Sequence, residues 1–591
     1  MKKIKTSFVF SLLFLTAVFT YVNSQTPAFP TAEGYGKYAT GGRGGKVVFV
    51  ENLDDYIAAN NLEAPIPGSF RWALKQYPGE PLTVIFRVSG TIKLKPYIVS
   101  GSNQNDIRCS RPNLTIAGQT APGEGICIRN SKINLGGSTD LIVRNIRFRI
   151  GENAADSTFI PGGSVGCENA LRVIFDHCVF GWSGEENITM YDNRFTTCQW
   201  SVFHEALFDD GHGKGSRGYG GQIGGISATY HHNLLAHNQS RSPRLNGART
   251  NNEVKVFIEF MNNVVYNWGS SAAPYGGDVN AGSERSHTAN FVGNYYKPGP
   301  ATASTKYFFN NYIVSGANLP KWYLSGNIMV GYANNNTDNW NAFNFKWSGT
   351  AGSALPTKAT VASDTLLLPP KDLVYSGAWI GYDPYKTNVE TAENAYQSVL
   401  DKVGTFHRDS VERRVIREVK TGTATFKASL GTMGIIDKSY NTEGYLPYAT
   451  VVAPTDTDND GMPDTWELAN GLDPNNAEDR NILTPEGYTA LEVYLAGLMG
   501  EDIVHNFTTA VKELKSFNAS IVPTLVKKKF QVISDNLLQS AKIFDLTGKQ
   551  VLFSSLSENN SVDLSNLAEG CYLVQIKNFS GDTQQFKILK K

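Results

Sequence analysis

Two arginines, Arg241 and Arg244, flank Ser242-Pro243 in one proline-stiffened bend, shortly after the polar run Thr229-Tyr230-His231-His232-Asn233. A guanidinium stays charged and offers its donors in a fixed plane, so this bend reads as a place for an anion rather than as core filling. Lys214 lies in the glycine-rich loop His212-Gly213-Lys214-Gly215, which suits a point charge reaching a carboxylate, a solvated loop lysine being the plainer reading. A second group sits further on. Asp456, Asp458, Asp460, Asp464 and Glu467 occupy positions 1, 3, 5, 9 and 12 of a loop whose sixth residue is Gly461, and Met462 at position 7 offers its carbonyl. That spacing is a calcium-loop pattern, with Trp466-Glu467-Leu468 opening a helix after it. Five acids so placed would repel one another without a cation, and the role expected of the ion is structural.

A repeat positions the first group. Seven five-residue segments align without gaps, among them Arg144-Asn145-Ile146-Arg147-Phe148, His231-His232-Asn233-Leu234-Leu235 and Ser325-Gly326-Asn327-Ile328-Met329. Their third positions (Ile146, Cys178, Ser201, Asn233, Asn263, Asn294 and Asn327) lie 32, 23, 32, 30, 31 and 33 residues apart. Each segment reads as strand, turn, strand with alternating burial. Stacked one strand spacing apart, with Asn amides bonding coil to coil, they predict a right-handed parallel β-helix in a mainly β protein. A β-sandwich would need hairpin turn signals every 8–12 residues, and the sequence lacks them. His231 and His232, and the Asp176-His177 pair, fall on rungs of this ladder and are expected to be structural. Cys178 reads as a small buried hydrophobe. Gly41-Gly42-Arg43-Gly44-Gly45 lacks the Lys-Ser/Thr ending of a phosphate loop and reads as a turn.

The remaining organisation follows from shifts in pattern. Residues 1–24 read as a signal peptide, with Lys2, Lys3 and Lys5 ahead of an apolar run too short for a membrane span. The β-helix is expected over 25–345 and a completing flank over 346–450, with helices at Thr391 to Val403 and Asp409 to Val419. An EF-hand-like calcium loop with helices follows over 451–503, a linker over 504–518, and a small β-sandwich-like unit over 519–591. With 54 basic and 54 acidic residues in 591 the net charge is +0, which excludes nucleic-acid binding by bulk charge. Six cysteines are too sparse for a disulfide framework, and their spacing matches no zinc site.

Four motifs together resemble the pectate lyases of polysaccharide lyase family 1. They are Thr115-Ile116-Ala117-Gly118-Gln119-Thr120-Ala121-Pro122-Gly123, Phe175-Asp176-His177-Cys178, His212-Gly213-Lys214-Gly215, and His231-His232-Asn233 with Ser240-Arg241-Ser242-Pro243-Arg244. The likeness spans about Phe29 to Val419. The last stretch, with Asp545-Leu546-Thr547-Gly548-Lys549 and a lysine-ended final strand, resembles a type IX secretion sorting domain. The resemblance implies a secreted or cell-surface enzyme whose expected substrate is de-esterified polygalacturonate, cleaved by calcium-dependent β-elimination. It implies Arg241 as base, with a substrate clamp or a surface ion pair as the plainer reading of that residue, Lys214 assisting, and Arg244 and Lys214 binding uronate. Like-charge repulsion from Lys214, Arg244 and calcium is expected to lower the Arg241 pKa. The resemblance places groove calcium on Asp156 and Glu185, with Glu186 replacing Glu185 after a one-residue shift; Thr189 stands where longer family members carry another acid. The partners implied are the polysaccharide and the type IX machinery, with no nucleic acid, no membrane span and a monomeric chain. The rival readings are a lyase of methyl-esterified pectin, a glycoside hydrolase using Asp156 with Glu185 or Glu186, and a non-catalytic glycan-binding β-helix.

Overall fold

The computed structural model describes residues 25–151, 162–246, 255–269, 273–276, 286–303, 307–314, 319–348, 357–367, 374–375, 378–379, 389–449, 451–507, 519–534, 537–556, 560–578 and 583–591. The expected signal peptide (1–24), Asp156 and most of the expected linker lie outside them.

Three parallel sheets wind into a right-handed β-helix, as the repeat predicts. The first has ten strands, running from Lys46–Val50 through Leu171–Asp176 and Ile226–His231 to Lys321–Ser325. The second has nine, from Gly90–Lys93 to Ile328–Met329, and the third nine, from Ile107–Arg108 to Phe343–Ser348. Pairing is parallel and coil to coil, as in Leu141 against Leu114 and Val173. Such pairing rules out a sandwich of hairpins for this part of the chain.

The seven segments are the corners between the first and second sheets. Their second residues take left-handed backbone: Asn145, His177, Trp200, His232 and Asn262 have φ between 50° and 59°, and Gly293 and Gly326 have 62° and 64°. From Asn233 onward their third residues form a buried amide ladder. Asn263 Oδ1 accepts from the backbone N–H of Asn233 at 3.0 Å, Asn294 Oδ1 from Asn263 at 3.0 Å and Asn327 Oδ1 from Asn294 at 3.1 Å. Asn339, in a short turn beyond the repeat, ends the row by accepting from Asn327 at 2.9 Å. These bonds satisfy corner N–H groups that the sheets cannot reach. Inside the coils one continuous apolar cluster runs from Val48 to Val361, with stacked rings such as Phe148 on Phe180 at 5.6 Å. Each fully buried Val, Leu, Ile or Phe there contributes ~1.5–3 kcal/mol.

The outer faces of two sheets are covered. Helices Ala392–Lys402 and Ser410–Thr421, capped by Thr391 and Asp409, lay Val399, Leu400, Val415, Ile416 and Val419 on Val179, Val202, Leu234 and Val264 of the second sheet. Across the first sheet runs an N-terminal strap, where Gly36 and Gly42 donate N–H to Thr197 and Thr115 Oγ1 at 2.9 Å. A Cβ on Gly36 would meet the Val173 carbonyl oxygen at 2.1 Å, so only glycine allows that approach. The segment over 451–503 lies on this face too, tied to the strap by Arg43–Glu492 and to the sheet by Arg87–Asp456 and Arg144–Glu501. Cys109, Cys127, Cys167, Cys178, Cys198 and Cys571 are all unpaired, and Cys178 is buried as expected.

Ala469–Leu472 and Phe507–Lys591 form a second compact unit. Its last strands make an antiparallel three-stranded sheet (Ala519–Val522, Lys529–Ser534, Ser561–Asp563) and a five-stranded one ending in Gly570–Asn578 and Thr583–Lys590. Val526, Phe530, Ile543, Val562, Val574 and Ile588 fill the space between them.

Candidate active site

The third sheet carries the arginine bend. Thr189, Gln222, Arg244, Tyr275 and Asn310 lie in register on successive coils, and Glu186, Tyr219 and Ser240 form a parallel row just before them. Successive coils are ~4.8 Å apart, so each row is a line of side chains at strand spacing. Arg241 follows Ser240 with φ 54°, a left-handed bend uncommon for a side-chain-bearing residue. Its Nη1 donates to Glu186 Oε1 and, at 3.1 Å, to Gln222 Oε1. Its Nε donates to the Tyr275 hydroxyl at 3.1 Å, and its plane lies 3.9 Å from the centre of the Tyr219 ring.

The electrostatics differ from the sequence expectation. Burial alone would lower the Arg241 pKa, but Tyr275 and Glu186 outweigh it and raise the pKa above the ordinary arginine value. The predicted depression by neighbouring cations is therefore not the state of this arrangement, because an acid rather than a cation faces the guanidinium. Lys214 is 70% exposed and donates to Glu185 Oε1 at 3.2 Å, an oxygen that also lies 3.3 Å from His212 Nε2. Burial would raise the Glu185 carboxyl, yet Lys214 and His212 hold it below the usual range. The adjacent acids Glu185 and Glu186 thus bring Lys214 and Arg241 to one strip. Arg244 is half-buried on the Gln222–Tyr275 row, its guanidinium 5.8 Å from the Tyr275 ring centre.

The histidine pair lies elsewhere. His231 Nδ1 is 2.8 Å from His232 Nδ1 and its Nε2 is 3.2 Å from Gln199 Oε1, at the corner between the first and second sheets. Burial pushes the pKa of both rings down. Asp176 is buried on the same row two coils away, against Arg144 and Gln199. Gln222, Tyr219, Tyr275 and His212 were not singled out by sequence reasoning. His212 stands inside the glycine-rich motif, whereas the other three are revealed only by coil register.

In the acidic loop 456–467, carboxylate oxygens of Asp456, Asp458 and Asp460 lie within 4.8 Å of one another. Burial and mutual repulsion push Asp460 up to about 7 and Glu467 to about 8. Asp464 does not join this group: both its oxygens accept from Thr457, one from the N–H and one from the hydroxyl, each at 2.7 Å.

Comparison with known proteins supplies the chemistry. An Aspergillus flavus protein described as "Probable pectate lyase C" is 30% identical over 488 residues, spanning 81% of this chain and 96% of its own. A Neosartorya fischeri protein of the same description is 31% identical over 496 residues, spanning 83% and 97%. The chain belongs to the pectate lyase family. It is a polysaccharide lyase, with its arginine strip on the third sheet of the β-helix. A solved pectate lyase from Bacillus sp. N165, in complex with trigalacturonate, aligns over 63% of this lyase and 98% of its own chain, with 17% identity and a TM-score of 0.36. Residues 520–591 match the family described as "Secretion system C-terminal sorting domain", which marks the lyase for secretion or the cell surface. No helix among the described residues is long and apolar enough to cross a membrane.

Proposed function

We propose that this lyase cleaves de-esterified polygalacturonate by calcium-dependent β-elimination, giving 4,5-unsaturated oligogalacturonides. The observation that carries the reading is the strip itself: Arg241 on Glu186 and Lys214 on Glu185, beside a row bearing Arg244. Glu185 and Glu186 are neighbouring, half-buried oxygen donors, which suits a hard divalent ion, and Asp156 is the third proposed ligand. Calcium held there would neutralise the uronate carboxylate and stabilise the negative charge that develops next to it.

The chain's own residues do the rest. Lys214 and Arg244 bind substrate carboxylates, and the Tyr219 and Tyr275 rings fix the plane of the Arg241 guanidinium. Arg241 takes the C5 proton, which is α to the carboxylate. The C5 electron pair forms the C4–C5 double bond, and O4 leaves with the glycosidic pair and takes a proton from water. Arg241 is a base only after its contact with Glu186 is lost, because that carboxylate helps hold the guanidinium protonated. A protonated Arg241 instead clamps the carboxylate.

Purified protein incubated with polygalacturonate should raise ultraviolet absorbance in calcium and not in chelator. New reducing ends without the chromophore would mean hydrolysis, and neither signal would mean a binding protein. Faster turnover of methyl-esterified pectin, without a metal requirement, would replace pectate by pectin as the substrate.

A further inference from the structure

Glu467 is fully buried in the calcium-loop segment, and neither of its carboxylate oxygens has a hydrogen-bond partner. Two other buried acids face it. Asp460, 1% exposed, gives Oδ1 to the Met462 N–H at 2.8 Å and leaves Oδ2 without a partner. Asp479, 3% exposed, comes from a separate turn twelve residues beyond Glu467. Its Oδ2 accepts from the Asp473 N–H at 2.8 Å, while Oδ1 has no partner. One oxygen from each of the three lies within 4.8 Å of the others. Calcium–oxygen bonds of ~2.3–2.6 Å put opposed ligands ~5 Å apart, so one ion spans such a triad. Asp458, also without partners on either oxygen, joins Asp460 and Asp456 in an overlapping triad. Dry, unpaired carboxylates in this number are not stable together without a cation.

We propose that Asp479 is a ligand of the calcium ion held by Asp456, Asp458, Asp460, Met462 and Glu467, and that Asp464 is not. The proposal rests on reading the loop as a calcium site and changes its ligand set. Asp464 spends both oxygens on Thr457 and so stays out, whereas Asp479 supplies an oxygen the loop spacing does not. The ion then ties the loop to the segment that continues into Glu492 on Arg43 and Glu501 on Arg144, fastening this segment to the outer face of the first sheet.

The test uses the full chain with Ca2+ alone, reading thermal midpoint and luminescence of competing Tb3+ sensitised by Trp466, the residue before Glu467. Asp479→Asn should weaken the affinity by ~10-fold or more, since even an outer-sphere partner of a metal is worth that much. Its midpoint should fall in calcium yet hold or rise in chelator, because one repelling charge is gone. Asp464→Asn should move the affinity less than the Asp479 change does. Wild-type affinity in Asp479→Asn, or an equal loss of midpoint with and without calcium, would overturn the proposal. If Asp458→Asn leaves calcium binding unchanged, the loop reading itself fails, which separates the two.

Discussion

Replacing Asn263 by alanine removes four buried hydrogen bonds at once. Asn263 Oδ1 accepts from both nitrogens of Asn233, and its Nδ2 donates to the Tyr230 carbonyl and Asn294 Oδ1, all at 2.9–3.1 Å. At ~0.5–1.5 kcal/mol net each, with further cost for the orphaned Asn233 N–H, the local loss is about 4 kcal/mol. Because coils contact only their neighbours, the loss should appear as local opening rather than as a lower global midpoint alone. Hydrogen exchange read by mass spectrometry is the assay. Peptides spanning 230–234, 261–265 and 292–296 should exchange about a thousandfold faster, at ~1.4 kcal/mol per decade. Asn263→Asp keeps the acceptor and adds a buried charge, so it should be no better than alanine. A change under tenfold at these corners, or one equally large in residues 519–591, would refute the idea that the amide row holds the coils together.

Three further outcomes test the site and the scaffold. Arg241→Lys keeps the charge but loses the plane held by Tyr219, Tyr275 and Gln222, so kcat/KM should fall ~10²–10⁴-fold with unchanged circular dichroism; near-wild-type turnover would remove Arg241 from the chemistry. Lys214→Ala should leave the midpoint almost unchanged, because an ion pair this exposed is worth little, yet lower kcat/KM ~10–100-fold through KM; a stability loss without a KM effect would make Lys214 structural. Buried Glu259, bonded to Thr229, has its carboxyl pushed by burial from 4.5 up to about 7. Its folded form resists ionisation, so it costs nothing below pH ~4.5 and about 3 kcal/mol above pH ~7. Glu259→Gln should therefore match wild type at low pH and exceed its midpoint above neutrality; a difference independent of pH would contradict this.

The ladder was readable because each coil repeats an apolar-flanked corner, and the asparagines at 233, 263, 294 and 327 mark it even in one sequence. The two flanking helices were readable from helical spacing of apolar residues, as at Ala395, Tyr396, Val399 and Leu400 of the first. The left-handed corner residue was not, since Asn145, His177 and Trp200 share a backbone angle rather than a side-chain type. Tyr219, Gln222 and Tyr275 reach Arg241 through coil register, which depends on the lengths of loops between rungs rather than on local pattern. Asp464 matched the loop spacing but found a nearer partner in Thr457, and Asp479 takes its bearing from a fold in the chain that no spacing rule encodes.

Thr189, Gln222, Arg244, Tyr275 and Asn310 each come from a different coil but occupy one line. Reach and selectivity are thereby separable in this architecture. Gaining or losing a whole coil changes the length of this row by one ~4.8 Å step, while a single substitution retunes one position and leaves its neighbours in place.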